Sequence, residues 1–317
     1  MKNTLKRAKS AIILFILILP IFFITYFGKI QGKIIGVIFY IIFSIYATYE
    51  IIQHNKINFI WNYIISILVI LSWIFPFEFW YLFSDKNVIN KTGLDINSTT
   101  EILKNYVFNY SLKFNIFNHI GIFINIPLIT IIMAINSPKF KNKYDFFKYY
   151  FITIFVAIYM PVFSKILFVY NMSNLYYLFV IALIPIVVDT MGYFGGMLFG
   201  MKLIKRKFAP HISPKKTWEG AIISYIFGML FVFIAMYLGK ITNNVTFIYF
   251  SNYKQLIVGL LFLPAVSIIG DLLFSFIKRL MHIKDFSNLI PGHGGLMDRF
   301  DSISLVAISA SAILFIV

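Results

Sequence analysis

Apolar residues run along this chain in long stretches that are separated by short polar segments. Nine of these stretches approach the roughly 20 residues that an α-helix needs to cross about 30 Å of hydrocarbon. They are Ala11–Phe27, Ile34–Ile52, Phe59–Phe75, Ile120–Ile135, Tyr149–Tyr170, Leu175–Phe194, Trp218–Leu238, Leu256–Ile277 and Ile303–Val317. The pattern predicts an all-α, polytopic transmembrane helix bundle with about nine spans.

The composition supports a membrane protein. Hydrophobic residues make up 60% of the 317 residues and charged residues only 13%, whereas roughly a quarter of a soluble domain is charged. The chain contains no cysteine, which excludes disulfides, thiolate nucleophiles and cysteine-ligated metals. Any metal ion must therefore be held by oxygen or imidazole ligands.

Lysine and arginine are scattered over the polar segments and do not form one basic domain, although the formal net charge is +16. This distribution argues against nucleic acid as a partner and is typical of cytoplasmic loops. With the N-terminus cytoplasmic, most of these cations fall inside, and Asp85–Asn115 becomes a long polar outer loop. No small-x-small cleavage site follows the first apolar stretch, so we expect it to be a retained anchor.

Six of the 12 acidic residues lie in two short regions near the predicted cytoplasmic ends of spans. Ionisable groups near membrane depth are costly, and they mark functional sites by default. We therefore divide the continuous membrane domain into N-terminal transmembrane helices, residues 1–180, and a C-terminal catalytic transmembrane region, residues 181–317. The acids near predicted cytoplasmic span ends are Asp189, Glu219, Asp271, Asp285, Asp298 and Asp301.

The segment from Gly270 to Asp301 has the chemistry of a site for phosphate and metal. On a helix, Asp271, Ser275 and Lys278 fall on one stripe at i, i+4 and i+7. Carboxylates such as Asp271 and Asp298 suit Mg²⁺, which takes one or two of them plus substrate phosphates. The glycines that allow close backbone approach to phosphate are Gly292, Gly294 and Gly295, and the cations that can neutralise it are Lys278, Arg279, Lys284 and Arg299.

A second polar region begins at Asp189 and includes Ser213-Pro214-Lys215-Lys216-Thr217 just before a predicted span. Ser213 or Thr217 could simply cap that helix, with Glu219 in its first turn. A helix N-terminus with two adjacent lysines is also a good anion site. The two interpretations are compatible. Similarly, a single Lys or Arg here would be an ordinary interfacial charge, but the density of charges near residue 298 favours a site.

At these residues the sequence resembles the phosphatidate cytidylyltransferase (CDP-diglyceride synthase) family. The family signature is matched from Ser275 through Lys284-Asp285 and His293-Gly294-Gly295 to Asp298-Arg299-Phe300-Asp301, and Ser213–Thr217 matches its second landmark. The resemblance covers roughly Asp189 to Ser302. Two positions depart from it, because Met197 and Met201 stand where the family usually has basic residues, and the link from Gly200 to Ser213 is longer.

The resemblance implies transfer of a cytidylyl group from CTP to phosphatidate, which gives CDP-diacylglycerol and pyrophosphate for phospholipid synthesis. It implies a Mg²⁺ cofactor, with a second cation left open, held by Asp271 and Asp298 with Asp189 and Asp301 as further candidates. Lys278 joins Asp271 and Asp298 as the predicted catalytic residues. The predicted substrate-binding residues are Ser213, Lys215, Lys216, Thr217, Ser275, Arg279, Lys284, Asp285, His293, Gly294, Gly295 and Arg299.

Two other functions stay open at this point. A CTP-dependent lipid kinase acting on a polyprenol-type alcohol would use the same nucleotide and metal but would release CDP. A transporter, using Asp189 and Asp271 as an ion path, is less favoured because the polar features fall only in the last third. The expected partners are CTP, phosphatidate and membrane lipid, with a homodimer left open.

Three residues outside the signature carry weaker predictions. Lys165 lies inside a predicted span, where it either snorkels or faces a polar cavity. Glu50, near a cytoplasmic span end, is a candidate for lining the site, and His54 is predicted to be interfacial. We expect a bacterial cell (plasma) membrane protein whose active site faces the cytoplasm.

Overall fold

The computed structural model describes residues 16–108, 123–242, 244–291 and 294–316, and most of these residues are helical. The helices are α1 Ile16–Phe27, α2 Ile30–Ile52, α3 Phe59–Ile74, α4 Glu78–Tyr81, α5 Lys86–Ile89, α6 Ile96–Ile102, α7 Asn125–Ile135, α8 Lys143–Ser173, α9 Leu175–Phe199, α10 Trp218–Ile241, α11 Tyr253–Leu280 and α12 Met297–Ile313. A two-stranded antiparallel hairpin, β1 Lys207–Ala209 and β2 Ser213–Thr217, lies between α9 and α10.

The helical prediction is confirmed, and the chain is an all-α membrane helix bundle except for this hairpin. Within the described residues, α2, α8, α9, α10 and α11 are long and apolar enough to cross a membrane. Each of the five overlaps a predicted span. By comparison, α3 has 16 residues and α12 has 17. The total of nine spans and the cytoplasmic N-terminus stay predictions.

The predicted outer loop Asp85–Asn115 is more ordered than the sequence suggested. Its described part, up to residue 108, contains α5, α6 and a π-helical turn at Leu103–Val107. Asp95 stabilises the start of α6, because its side chain accepts the Ser98 amide at 3.4 Å. The segment is polar, as predicted, and these short helices satisfy part of its backbone; its outer location stays a prediction.

The residues group into two compact units, which are described separately. Unit 1 comprises Met1–Thr92, Glu101–Met172 and Asp285–Asp298, and unit 2 comprises Gly93–Thr100, Ser173–Lys284 and Arg299–Val317. The predicted functional division at residue 180 stays a prediction.

In unit 1, polar side chains join the helices to one another. The Asn125 amide donates to Ser72 Oγ at 2.7 Å, which links α7 to α3, and the Asn55 amide donates to Thr153 Oγ1 at 2.8 Å. Hydrogen bonds of this kind hold helices together in a membrane, where packing an apolar side chain against another helix is little more favourable than exposing it to lipid.

Lys165 is buried in unit 1, and its ammonium points to the end of α3. Its Nζ donates to the backbone oxygen of Ser72 at 2.6 Å and to that of Phe75 at 3.2 Å. The last carbonyls of a helix lack intrahelical donors and carry partial negative charge. Lys165 therefore caps α3, and its burial excludes outward snorkelling, one of the two alternatives that the sequence left open.

In unit 2, small residues let the helices approach closely. A Cβ added to Gly220 of α10 would lie 2.8 Å from the backbone oxygen of Gly192 in α9. One added to Gly270 of α11 would lie 3.0 Å from Ser302 Cα in α12. Small residues commonly mark such interfaces in membrane bundles, and here they let the helices that carry Asp189, Asp271 and Asp301 approach closely.

Candidate active site

Unit 2 contains a cavity of about 480 Å³ between α9, α10, α11 and the hairpin. Its polar lining comes from predicted site residues on both sequence regions, together with one serine of α10. The size is within the range of small-molecule pockets. The polar residues are Asp189, Lys215, Lys216, Thr217, Ser224 and Asp271.

Asp271 is bonded on two sides. Its carboxylate forms an ion pair with the ammonium of Lys216 from β2, and it accepts a hydrogen bond from Ser275 Oγ at 3.4 Å. The predicted i, i+4 relationship between Asp271 and Ser275 is therefore present. The hairpin brings the second sequence landmark directly onto the first.

Lys278, the third residue of the predicted stripe, pairs with Asp301 of α12. Lys278 Nζ lies 3.9 Å from Asp301 Oδ2, and both residues are buried, at 7% and 9% exposure. The Asp301 carboxylate also accepts its neighbour's amide, from Ser302, at 2.7 Å. This pair compensates two charges that would be costly to bury alone.

The acids of unit 2 form one electrostatic cluster. Asp189 faces the charges of Asp271, Lys216 and Arg299, and Asp301 faces those of Asp271, Lys278 and Asp189. Three carboxylates are thus set among three cations. Such a balance can bind a polyphosphate and a cation together.

The oxygen donors of this cluster fit Mg²⁺. Among the described residues, no three His, Cys, Asp or Glu side chains form a ready-made metal cage. Mg²⁺ does not require one, since it is usually held by one or two carboxylates with substrate phosphates and water. Asp271 and Asp189 line the cavity and supply such ligands.

The hairpin is the element that the sequence did not predict. Lys207 pairs with Thr217 and Ala209 pairs with Ser213. Of the two candidate caps, Ser213 lies in this strand, and Thr217 caps α10, because its Oγ1 accepts the Gly220 amide at 3.2 Å. Pro210 and Pro214 disfavour a helix here, and they were the available signal.

Glu219 holds the lengthened basic loop that precedes the hairpin. It lies in the first turn of α10, as predicted, but its buried Oε1 accepts the amides of Leu203 at 2.9 Å and Ile204 at 2.8 Å. The cations of this loop and of β1 are all exposed: Lys202, Lys205, Arg206 and Lys207.

Arg279 bonds to backbone oxygens. Its Nε donates to Ile212 at 3.3 Å and its guanidinium NH1 donates to Ile283 at 2.9 Å. The side chain thus joins the end of α11 to the hairpin turn. Its substrate role stays a prediction, as do those of the exposed Lys215, Lys284 and Arg299.

In unit 1, the described parts of the segment from Asp285 to Met297, called here the signature loop, fold around Asp298. Asp298 Oδ2 accepts the amides of Phe286 at 2.9 Å and Gly295 at 2.8 Å. Gly294 has a φ of 83°, a conformation that glycine adopts readily. The predicted freedom of the glycines is therefore used at Gly294, and Asp298 is held by its own loop.

The predicted substrate roles of Asp285, Gly292 and His293 stay predictions. Gly292 and His293 lie outside the described residues, and Asp285 is exposed. The shared binding of one ion by Asp271 and Asp298 stays a prediction.

Glu50, predicted as a candidate for lining the site, is hydrogen-bonded to the same loop. Its Oε1 accepts Ser287 Oγ at 2.5 Å and the Leu296 amide at 2.8 Å, and its Oε2 accepts the Met297 amide at 2.6 Å. The sequence signal was an acid in the last turn of a predicted span, where the helix dipole disfavours it.

His54 and its neighbour Gln53 were missed as contacts of the signature loop. His54 Nε2 lies 2.7 Å from the Phe286 backbone oxygen, and Gln53 Nε2 donates to that oxygen at 2.8 Å. No sequence pattern marked either residue, since polar residues after a span are common.

Comparison with known proteins gives the same family as the motifs. Three curated relatives carry the name phosphatidate cytidylyltransferase. The proteins of Haemophilus influenzae, Rickettsia typhi and Mycobacterium bovis are 40%, 43% and 35% identical over 116, 122 and 166 residues. These matches cover 37%, 38% and 51% of this chain and 38%, 50% and 49% of the respective relatives.

The match to these relatives is thus partial, and it spans about half of their length or less. The model of the cytidylyltransferase family, in contrast, matches residues 7–317. A match of that extent takes in the cavity, the hairpin and the signature loop alike. By this evidence the chain belongs to the cytidylyltransferase family.

Proposed function

We propose that the protein transfers a cytidylyl group from CTP to phosphatidate, giving CDP-diacylglycerol and pyrophosphate. The observation that carries the proposal is the joining of the two sequence landmarks by the Lys216–Asp271 ion pair at the cavity wall. Family membership and the name of the relatives, phosphatidate cytidylyltransferase, support the same reaction.

The reaction places modest demands on proton transfer. A phosphate oxygen of phosphatidate attacks the α-phosphorus of CTP and forms a new P–O bond. The bond between the α-phosphorus and the bridging oxygen breaks, and pyrophosphate leaves with that electron pair. Because the attacking phosphate is already ionised near neutral pH, the site has to supply alignment and charge neutralisation.

The cations of unit 2 suit this task. Lys215 and Lys216 line the cavity, Lys216 pairs with Asp271, and Lys278 lies next to Asp301. Positively charged groups aimed at a developing pyrophosphate charge stabilise the transition state. Thr217 and Ser224 add hydroxyl donors to the same wall.

Asp271 and Asp298, with Asp189 and Asp301 as further candidates, are the residues proposed to hold Mg²⁺. Bound Mg²⁺ would offset the triphosphate charge and polarise the α-phosphorus. We place the site at the cytoplasmic face of a bacterial cell membrane, where CTP arrives from water and the acyl chains arrive from the leaflet.

The test uses purified protein in phosphatidate-containing nanodiscs with Mg²⁺ and CTP labelled at the α-phosphate. Label should move into the lipid while unlabelled pyrophosphate is released. Asp271→Asn should abolish the transfer, and Glu101→Gln, at an exposed acid, should leave it unchanged. Release of CDP would identify a lipid kinase instead, and full activity in Asp271→Asn would refute the assignment of the site.

A further inference from the structure

Glu50, far from the signature in sequence, is buried against the signature loop of unit 1. Its exposure is 0%, and its carboxylate receives three hydrogen bonds, from Ser287, Leu296 and Met297. We propose that Glu50 is a positioning residue that fixes the signature loop and, through it, the carboxylate of Asp298. The inference rests on the proposed function, in which Asp298 contributes to the metal and phosphate site.

The position of Glu50 is unfavourable by itself. It lies in the last turn of α2, where the helix dipole repels a negative charge. Burying a carboxylate is also costly unless hydrogen bonds compensate it. Among the described residues, the donors to this carboxylate all belong to the signature loop, so the charge and the loop conformation depend on each other.

Glu50 and Asp298 each accept hydrogen bonds from both ends of the signature loop. At one end, the Phe286 amide donates to Asp298 and the Ser287 hydroxyl donates to Glu50. At the other end, the Gly295 amide donates to Asp298, and the next two amides donate to Glu50. Each end of the loop is thus bonded to both carboxylates, which fixes the two ends relative to each other.

Gly295 shows how tight this arrangement is. A Cβ added at Gly295 would overlap Glu50 Oε1 and would lie 2.8 Å from Ser287 Oγ. Only glycine leaves room for the carboxylate to reach the Leu296 and Met297 amides. The Gly295 amide itself donates to Asp298, so this glycine also helps to hold the loop in place.

The residues that follow Glu50 add a second attachment. Gln53 Nε2 donates to the Phe286 backbone oxygen, and His54 Nε2 lies 2.7 Å from that oxygen. The Phe286 carbonyl is therefore held by Gln53 and His54, which follow α2, and the Ser287 hydroxyl is held by Glu50 in the last turn of α2. Residues that orient a metal ligand in this way typically change metal affinity or activity 10- to 100-fold on mutation, as an order of magnitude.

The test compares wild type with Glu50→Gln and, as the matched control, Glu101→Gln at an exposed acid. Glu50→Gln places an amide NH₂ against N–H donors, so the loop should loosen. We expect hydrogen exchange of the amides of residues 286–290 and 294–297 to accelerate at least about 10-fold without substrates. We also expect the Mg²⁺ concentration for half-maximal activity to rise about 10-fold, with a smaller change in the KM for CTP.

Ser287→Ala guards against a simple folding defect, because it removes one donor and leaves both amide bonds to Glu50. It should shift exchange and Mg²⁺ dependence in the same direction, and the effects of the two substitutions should be less than additive. Glu50→Asp, which keeps the charge, should recover part of the Mg²⁺ response that Glu50→Gln loses.

Unchanged exchange and Mg²⁺ dependence in both Glu50→Gln and Ser287→Ala would overturn the proposal. Faster exchange with an unchanged Mg²⁺ response would also overturn it, because Glu50 would then be only structural. Absence of pyrophosphate release by wild type would refute the proposed function separately, since the exchange measurement needs no substrate.

Discussion

Lys216, on strand β2, pairs its ammonium with the carboxylate of Asp271, on helix α11, at the wall of the cavity. Both side chains keep partial solvent access, 27% for Lys216 and 23% for Asp271. Pairs of this kind contribute roughly 0–1 kcal/mol to stability, because water and salt screen them. A triphosphate can therefore compete for the lysine without unfolding the site.

Lys216→Met tests this role. The substitution removes the cation but keeps an apolar stem of similar length, so we expect pyrophosphate release to fall by about 10²-fold. The free energy of unfolding should change by less than about 1 kcal/mol. Steady-state rates and thermal unfolding measure the two effects. Lys86→Met, at an exposed lysine, is the control, and equal activity of the two variants would contradict the prediction.

The Lys278–Asp301 pair should respond differently, because both residues are buried. Lys278→Met leaves a buried carboxylate without its cation, which typically costs about 3–5 kcal/mol. The double variant Lys278→Met with Asp301→Leu should recover most of that stability while staying inactive. Thermal unfolding and the transfer assay separate the two outcomes. Recovery of activity in the double variant would show that neither charge takes part in the reaction.

Glu219 offers a test of the basic loop that needs no substrate. Its carboxylate holds the amides of Leu203 and Ile204, and the surrounding Lys202, Lys205 and Arg206 are trypsin sites. Glu219→Ala removes the acceptor, so trypsin should cleave this loop about 10-fold faster, in proportion to the open population. Glu101→Ala should leave the cleavage rate unchanged. Equal cleavage in both variants would show that the loop is held by other contacts.

Local patterns predicted the parts of this structure that depend on local geometry. The spacing of Asp271 and Ser275 placed them on one helical face because an α-helix has a fixed period. The length of the apolar stretches predicted the five long helices, because the fixed rise per residue of an α-helix sets how many residues cross the bilayer. The capping role of Thr217 also followed from its position just before a span.

Contacts between distant segments were not predictable from the sequence. Glu50 bonds to residues 237 to 247 positions away, and no local pattern encodes such a pairing. The hairpin was missed because its three-residue first strand is too short for alternation to show. The capping of α3 by Lys165 was not predicted, because its hydrogen-bond partners are backbone oxygens, which every residue carries.

Gly270 gives the last prediction, since it sits where α11 meets α12. A Cβ there would lie 3.0 Å from Ser302 Cα and 3.3 Å from Leu305 Cβ. Gly270→Ala should therefore push the two helices apart and weaken the Lys278–Asp301 contact. Overpacking of this kind costs about 1–3 kcal/mol, measurable by thermal unfolding, and we expect cytidylyl transfer to fall at least about 10-fold.

The control for this substitution enlarges a neighbour on the outer face of α11. Ile269 is 54% exposed, so Ile269→Phe adds volume without a clash and should leave stability and transfer nearly unchanged. Because Asp271 follows Gly270 directly, the separation of the helices should disturb the cluster of acids at its centre. If Gly270→Ala keeps wild-type transfer despite lower stability, the alignment of α11 with α12 is not what sets the geometry of the reaction.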